Sequence, residues 1–258
     1  VIVDDLLTNY QRLGQGKKVI LLIHGWGDTS KTFIHLMKLF GSNYTLVAID
    51  LPGFGGTQAP TTAWGLEEYA YFVAQCIKKL DLDVFAIVAH SNGAAVAIKG
   101  VAHNVLKPKK LILLGAAGIR NRQKIRNTAL KVVAKTGKVA TFWLPKISKQ
   151  KLQKKLYGTV GSDLLVVPHM QETFKKTVRQ DVQNDARHIS IPVLLIYGAD
   201  DSATPPLYGK IYAQLIGNAQ LEIVASAGHF VHQDATENVA NKIKEFKNYL
   251  IEKKLNSN

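Results

Sequence analysis

The sequence predicts an α/β protein, a mostly parallel sheet wrapped by helices and interrupted by one inserted segment. Three observations carry this expectation. Short β-branched runs are continuously apolar rather than alternating, as strands covered on both faces are. Stretches of helical period separate those runs, and repeated strand–helix succession builds a parallel sheet. The charge is uneven: of the formal +14, residues 119–188 supply +12 (16 Lys and Arg against 4 Asp and Glu), whereas 1–118 hold 11 against 8 and 189–258 hold 6 against 7. The shift marks residues 119–188 as an insertion between two nearly neutral halves, 1–118 and 189–258, of one body.

The elements follow in order. Residues 1–13 are expected to give antiparallel edge strands. Val19–Ile23 is the first buried strand, followed by a helical stretch near 29–40, the strand Thr45–Ile49, a helix over 66–80, the strand Val84–Val88, a helix of small residues over 92–104 and the strand Leu111–Leu114. After the insertion come the strand Val193–Tyr197, a helix near 207–216, the strand Leu221–Val224 and an amphipathic helix from about 235. A chain of 258 residues buries roughly 70 to 75% of its unfolded surface and needs no staple. The single cysteine, Cys76, excludes an internal disulfide framework and any site requiring several thiolates. No apolar run reaches the roughly 18 residues of a membrane span, and Val1–Asp5 lack the basic start of a signal peptide. The expected location is cytoplasmic.

In such a sheet chemistry gathers at the carboxyl ends of the strands. The strand Val84–Val88 runs into Ala89-His90-Ser91-Asn92-Gly93 and then a helix, the context of a turn that lifts a serine hydroxyl above the sheet, with small residues two before and two after it. The bland alternative makes Ser91 an ordinary helix N-cap. A serine nucleophile needs an oxyanion hole and a base. The strand Val19–Ile23 ends in His24-Gly25-Trp26-Gly27-Asp28, and the expected donors are the backbone amides of Trp26 and Asn92. His24 is expected to fix its loop structurally, and His90 to pack.

Among eight histidines, His229 follows a late strand and a loop and is the expected base, with His232 as fallback. Its carboxylate partner comes from Gly198-Ala199-Asp200-Asp201-Ser202-Ala203-Thr204-Pro205, either Asp200 or Asp201, to fix the imidazole tautomer. No His-Glu-x-x-His or comparable spacing occurs, so neither a catalytic metal nor a cofactor is expected.

These motifs make the chain resemble the α/β-hydrolase fold family, in its serine-nucleophile, esterase- and lipase-like branch. His24-Gly25-Trp26-Gly27 resembles the oxyanion loop, and Asp50-Leu51-Pro52-Gly53-Phe54-Gly55-Gly56-Thr57 the segment after the next strand. Ala89–Gly93 resembles the nucleophile elbow and Gly228-His229 the base loop. The Gly198-x-x-Asp201 register selects Asp201 over Asp200, and Asp50 resembles a structural residue. Ala89 and Asn92 depart from the usual Gly and Met or Gln. The resemblance implies a mostly parallel eight-stranded sheet, residues 119–188 as a helical cap, and acyl-enzyme chemistry on a carboxylic ester through Ser91, Asp201 and His229. Carbon–carbon bond hydrolases, thioesterases, lactonases, amidases and cofactor-free haloperoxidases share the pattern. The non-enzyme alternative is a binding module that has lost activity.

The substrate is expected to be a small acyl compound in a pocket shaped by Trp26, Phe142, Trp143, Leu144 and Phe230. The insertion clusters Arg120, Arg122, Lys124 and Arg126, then Lys146, Lys149, Lys151, Lys154 and Lys155. It is read first as a solvated outer face, and second as a surface for anionic lipid or for the phosphate of an acyl carrier such as coenzyme A. Nucleic acid is not expected, because few aromatics interleave the basic residues and no known module is present.

Overall fold

The computed structural model describes residues 1–120 and 168–255. The first elements are two two-residue strands, β1 (Ile2–Val3) and β2 (Leu6–Leu7), which pair with each other. Asp4 and Asp5 between them both have positive φ, 49° and 61°, the backbone of a tight hairpin turn. Next come β3 (Tyr10–Leu13), β4 (Val19–Ile23), α1 (Ile34–Phe40), β5 (Thr45–Ile49), α2 (Leu66–Lys79), β6 (Val84–His90), α3 (Asn92–Ala102) and β7 (Lys110–Leu114). Beyond residue 167 lie α4 (Gln171–Arg179), α5 (Gln183–Ala186), β8 (Val193–Gly198), α6 (Pro206–Leu215), β9 (Ala219–Val224), α7 (Val231–Asp234) and α8 (Thr236–Leu255).

The main sheet runs β3-β5-β4-β6-β7-β8-β9, with β3 antiparallel on β5 and every other pairing parallel. Among the described residues it has seven strands rather than the expected eight. The turn at Asp4–Asp5 closes β1 on β2, so of residues 1–13 only β3 joins the sheet edge.

The continuous apolar runs are explained by burial on both faces. In β4, Val19, Leu21 and Ile23 belong to one core, with residues of α2, α3 and α6; Ile20 and Leu22 belong to the other, with residues of α1 and α8. All five are buried. Helix α2 shows the matching period, burying Leu66, Tyr69, Ala70, Val73 and Cys76. Its ends suit its dipole, with Glu67 and Glu68 in the first turn and Lys78 and Lys79 in the last. Burial pushes the Cys76 thiol up to about 12, so it stays protonated and inert at neutral pH. Within segment 119–188, Val182 and Ala186 are buried in the core that holds α3, and Val182 N–H donates to the Gly118 carbonyl.

The fold carries the carboxyl ends of β4, β6, β8 and β9 to one edge. Asp50, just past β5, ties loops together there. Its Oδ1 accepts from Ser30 N–H (2.6 Å), and its Oδ2 from Gly56 N–H (2.8 Å) and Asn9 Nδ2 (2.7 Å). Burial alone would raise this carboxyl, but these bonds outweigh it and hold it below the usual carboxylate range.

Candidate active site

Ser91 sits between β6 and α3 with φ 52° and ψ −118°, a region disfavoured for any residue with a side chain. It occupies the N-cap position of α3 but makes no capping hydrogen bond. Its hydroxyl instead donates to His229 Nε2, 2.9 Å away. The ordinary capping role is therefore excluded. The strained turn is held by close packing. A Cβ on Gly93 would stand 2.3 Å from the His24 carbonyl oxygen and 2.7 Å from that of Ile23, so only glycine lets α3 begin this close to β4.

The loop after β4 lies directly against the elbow, since a Cβ on Gly25 would be 3.0 Å from Ser91 Cβ. Trp26 follows in that loop, and Asn92 opens α3, so the two amides expected to donate belong to the segments flanking the serine. His24 is fully buried; its Nδ1–H donates to the Gly25 carbonyl (2.7 Å) and its Nε2 accepts from Leu51 N–H (2.9 Å). With both nitrogens engaged and burial lowering its pKa, it holds the loop as a neutral ring, the structural role expected of it.

His229 Nδ1–H donates to Asp201 Oδ2 at 2.8 Å. The Asp201 carboxylate is buried, whereas Asp200 is exposed, so the register choice agrees with the geometry. Burial alone would raise the Asp201 carboxyl, but His229 and the hydrogen bonds from Thr204 hold it below its ordinary value. It is thus an ionised acceptor at neutral pH, which assigns the His229 proton to Nδ1 and leaves the Nε2 lone pair toward Ser91.

Thr204 is the residue that the sequence reading did not single out. Its N–H and that of Ala203 both donate to Asp201 Oδ1, at 2.9 and 2.8 Å. Its Oγ1 lies 2.8 Å from Asp201 Oδ2, 2.9 Å from the Gly115 carbonyl oxygen and 3.1 Å from His229 Nδ1. The signal was local: a threonine three residues after an acid can fold back onto its carboxylate. Gly115, with φ 51°, leaves room for this knot, since its Cβ would come within 3.3 Å of Asp201, His229 and Thr204 at once.

The fallback base, His232, is not at the serine. It is buried, and its Nε2 lies 2.8 Å from Thr32 Oγ1. His90 is buried too, its Nε2–H donating to the His229 carbonyl (2.9 Å). Burial and the neighbouring imidazoles lower both rings, His232 to about 3 and His90 well below its usual value. Of the expected pocket residues, Trp26 packs against Phe54 (4.9 Å between centroids) and Phe174 of α4 (5.0 Å). Phe230 is exposed beside His90 (5.1 Å) and His229 (5.6 Å). Phe142, Trp143 and Leu144 lie outside the described residues.

A doubly covered parallel sheet with Ser91, His229 and Asp201 in one hydrogen-bonded line at its carboxyl edge defines an α/β hydrolase. The chain belongs to the alpha/beta hydrolase family, whose model matches residues 20–242. It is 25% identical to the AB hydrolase superfamily protein YisY of Bacillus subtilis, over 92% of this chain and 93% of that one. It is 28% identical to a pimeloyl-[acyl-carrier protein] methyl ester esterase of Neisseria meningitidis, over 82% of this chain and 71% of the esterase. Its fold matches the meta-cleavage product hydrolase from Pseudomonas fluorescens IP01 with a TM-score of 0.75 at 20% identity, covering 97% of both chains. No described helix is long and apolar enough to cross a membrane.

Proposed function

We propose that this family member is a serine hydrolase that cleaves a carboxylic ester or a related acyl compound through an acyl-enzyme on Ser91. The observation that carries the reading is the continuous line of Ser91 Oγ, His229 Nε2, His229 Nδ1 and Asp201 Oδ2, with links of 2.9 and 2.8 Å. His229 takes the Ser91 proton as the hydroxyl oxygen attacks the acyl carbon, and Asp201 stabilises the imidazolium that forms. The amides of Trp26 and Asn92 stabilise the oxyanion. His229 then protonates the leaving alcohol, and water attacks the acyl-enzyme with His229 again as base.

The esterase relative supports an ester as substrate. That relative is named for an ester carried by an acyl-carrier protein, which favours a role for the +12 insertion, proposed here as the helical cap, in attracting the phosphate of an acyl carrier over a purely solvated face. Trp26, half-buried beside the elbow and backed by the buried Phe54 and Phe174, is the apolar surface proposed to meet the acyl chain. The test is labelling with a fluorophosphonate probe, followed by hydrolysis of nitrophenyl esters of increasing chain length. Stoichiometric labelling of the wild type and none of Ser91→Ala is expected; a folded wild type that forms no Ser91-dependent adduct overturns the reading.

A further inference from the structure

Behind the base, three buried polar atoms converge without a hydrogen-bond partner: Asp28 Oδ2, His90 Nδ1 and His232 Nδ1. The three residues each offer one donor atom within 4.8 Å of the others. Each side chain is engaged through its other polar atom. Asp28 Oδ1 accepts from Thr29 N–H (2.8 Å), His90 Nε2–H donates to the His229 carbonyl (2.9 Å), and His232 Nε2 bonds Thr32 Oγ1 (2.8 Å), which also accepts from Gln233 Nε2 (2.6 Å). These outer bonds turn the remaining atoms inward. Leaving one buried polar atom unpaired costs about 1–3 kcal/mol, and here three are pointed at one spot.

We propose that Asp28, His90 and His232 form a binding site for one divalent transition-metal ion of the zinc type. Two imidazoles and a carboxylate are a donor set for such ions rather than for calcium or magnesium. Histidine ligands commonly donate their second N–H to a backbone carbonyl or other acceptor, as His90 does here. With its Nε2–H donated to the His229 carbonyl, His90 keeps its lone pair on Nδ1, free to coordinate. Donors about 2.0–2.2 Å from a tetrahedral ion stand roughly 3.4 Å apart, so binding draws the three atoms inward by about an ångström. Asp28, the only one of the three that is partly exposed, makes most of that movement and provides the entry path.

The site is distinct from the Ser91–His229–Asp201 line and supplies none of its chemistry. Its three ligands come from three separate places: the loop after β4, the residue before the nucleophile, and the first turn after the base loop. An ion there pins those three segments together from behind, and through His90 Nε2–H it steadies the His229 backbone. Its role is therefore to position and stabilise the site.

The test uses the full chain, treated with chelator and then titrated with Co²⁺, followed by Zn²⁺ in competition. One equivalent of Co²⁺ is expected to give the intense visible d–d bands of a four-coordinate site, and Zn²⁺ to displace it and raise the thermal midpoint. Asp28→Asn and His232→Gln are each expected to weaken binding at least tenfold, while exposed His35→Gln leaves it unchanged. Ser91→Ala is expected to bind as the wild type does, which separates this inference from the serine chemistry. If the buried His232 variant does not fold, Asp28→Asn carries the test. Absence of the d–d bands, or binding unaltered in Asp28→Asn, overturns the proposal and leaves a single bridging water as the occupant.

Discussion

The two loops that meet at His229 are built in opposite ways. The elbow between β6 and α3 holds Ser91 by steric closeness: a positive φ, no capping bond, and a glycine whose Cβ would strike the backbone of β4. The acid loop between β8 and α6 holds Asp201 by hydrogen bonds, two to Oδ1 from backbone amides and two to Oδ2 from Thr204 and His229. The first is therefore sensitive to atoms added and the second to hydrogen-bonding groups removed.

Five experiments would break or sharpen that contrast. The largest expected effect is on turnover: Ser91→Ala should lower kcat by about 10⁴–10⁶-fold on an ester the wild type hydrolyses, with little change in stability. Asp201→Asn should cost about 10⁴-fold in kcat at neutral pH, because an amide can donate to Nδ1 and reverse the imidazole tautomer. A loss under tenfold would mean that Thr204 and the loop backbone hold His229 without the carboxylate. Gly93→Ala should destabilise the fold by about 3 kcal/mol or more, since its methyl meets backbone oxygens rather than a side chain that can turn away. A urea midpoint within error of the wild type would show that the elbow can open. Ser91→Gly should stabilise the fold by about 1–3 kcal/mol, read as a higher urea midpoint, the strain released when φ is free, while abolishing activity. Thr204→Val keeps both amide bonds to Asp201 Oδ1 and loses only the hydroxyl; a drop in kcat of about tenfold is expected, with KM nearly unchanged.

Acidification separates the same two regions. His24 and His90 at the elbow, with His232 beside them, are buried neutral with their pKa lowered, so the unfolded chain takes up protons at these rings first, as pH falls below about 6.5. The fold then loses up to about 1.4 kcal/mol per pH unit for each such ring. The Asp201 carboxyl is depressed in the fold, so its stabilisation is complete above the unfolded value, roughly pH 4, and is lost only as pH falls through the lower folded value. The urea midpoint should therefore begin to decline between pH 6.5 and 5, before any carboxylate contributes.

The difference between the loops also explains what was legible in the sequence. The elbow can be read because its geometry demands small residues at fixed offsets from Ser91, and Ala89 and Gly93 supply them. The acid loop was legible only to its register: Asp201 could be selected, but Thr204, whose hydroxyl reaches Asp201, Gly115 and His229, gave no more than a local hint. Among the described residues the main sheet has seven strands, because a two-residue turn with both φ positive diverts β1 and β2 from it without changing their apolar pattern.

By itself, then, the sequence determined the doubly covered parallel sheet, the order of the candidate serine, acid and base along the chain, and the concentration of charge in residues 119–188. Those are properties of period, spacing and composition, and each is written locally. Only the tertiary structure decided that Thr204 folds back onto Asp201 and His229, that His232 turns away from Ser91 toward Thr32, and that Asp28, His90 and His232 bring three unpartnered polar atoms together. These outcomes depend on contacts between residues up to 204 positions apart, where side-chain direction is set by packing and no local pattern records it.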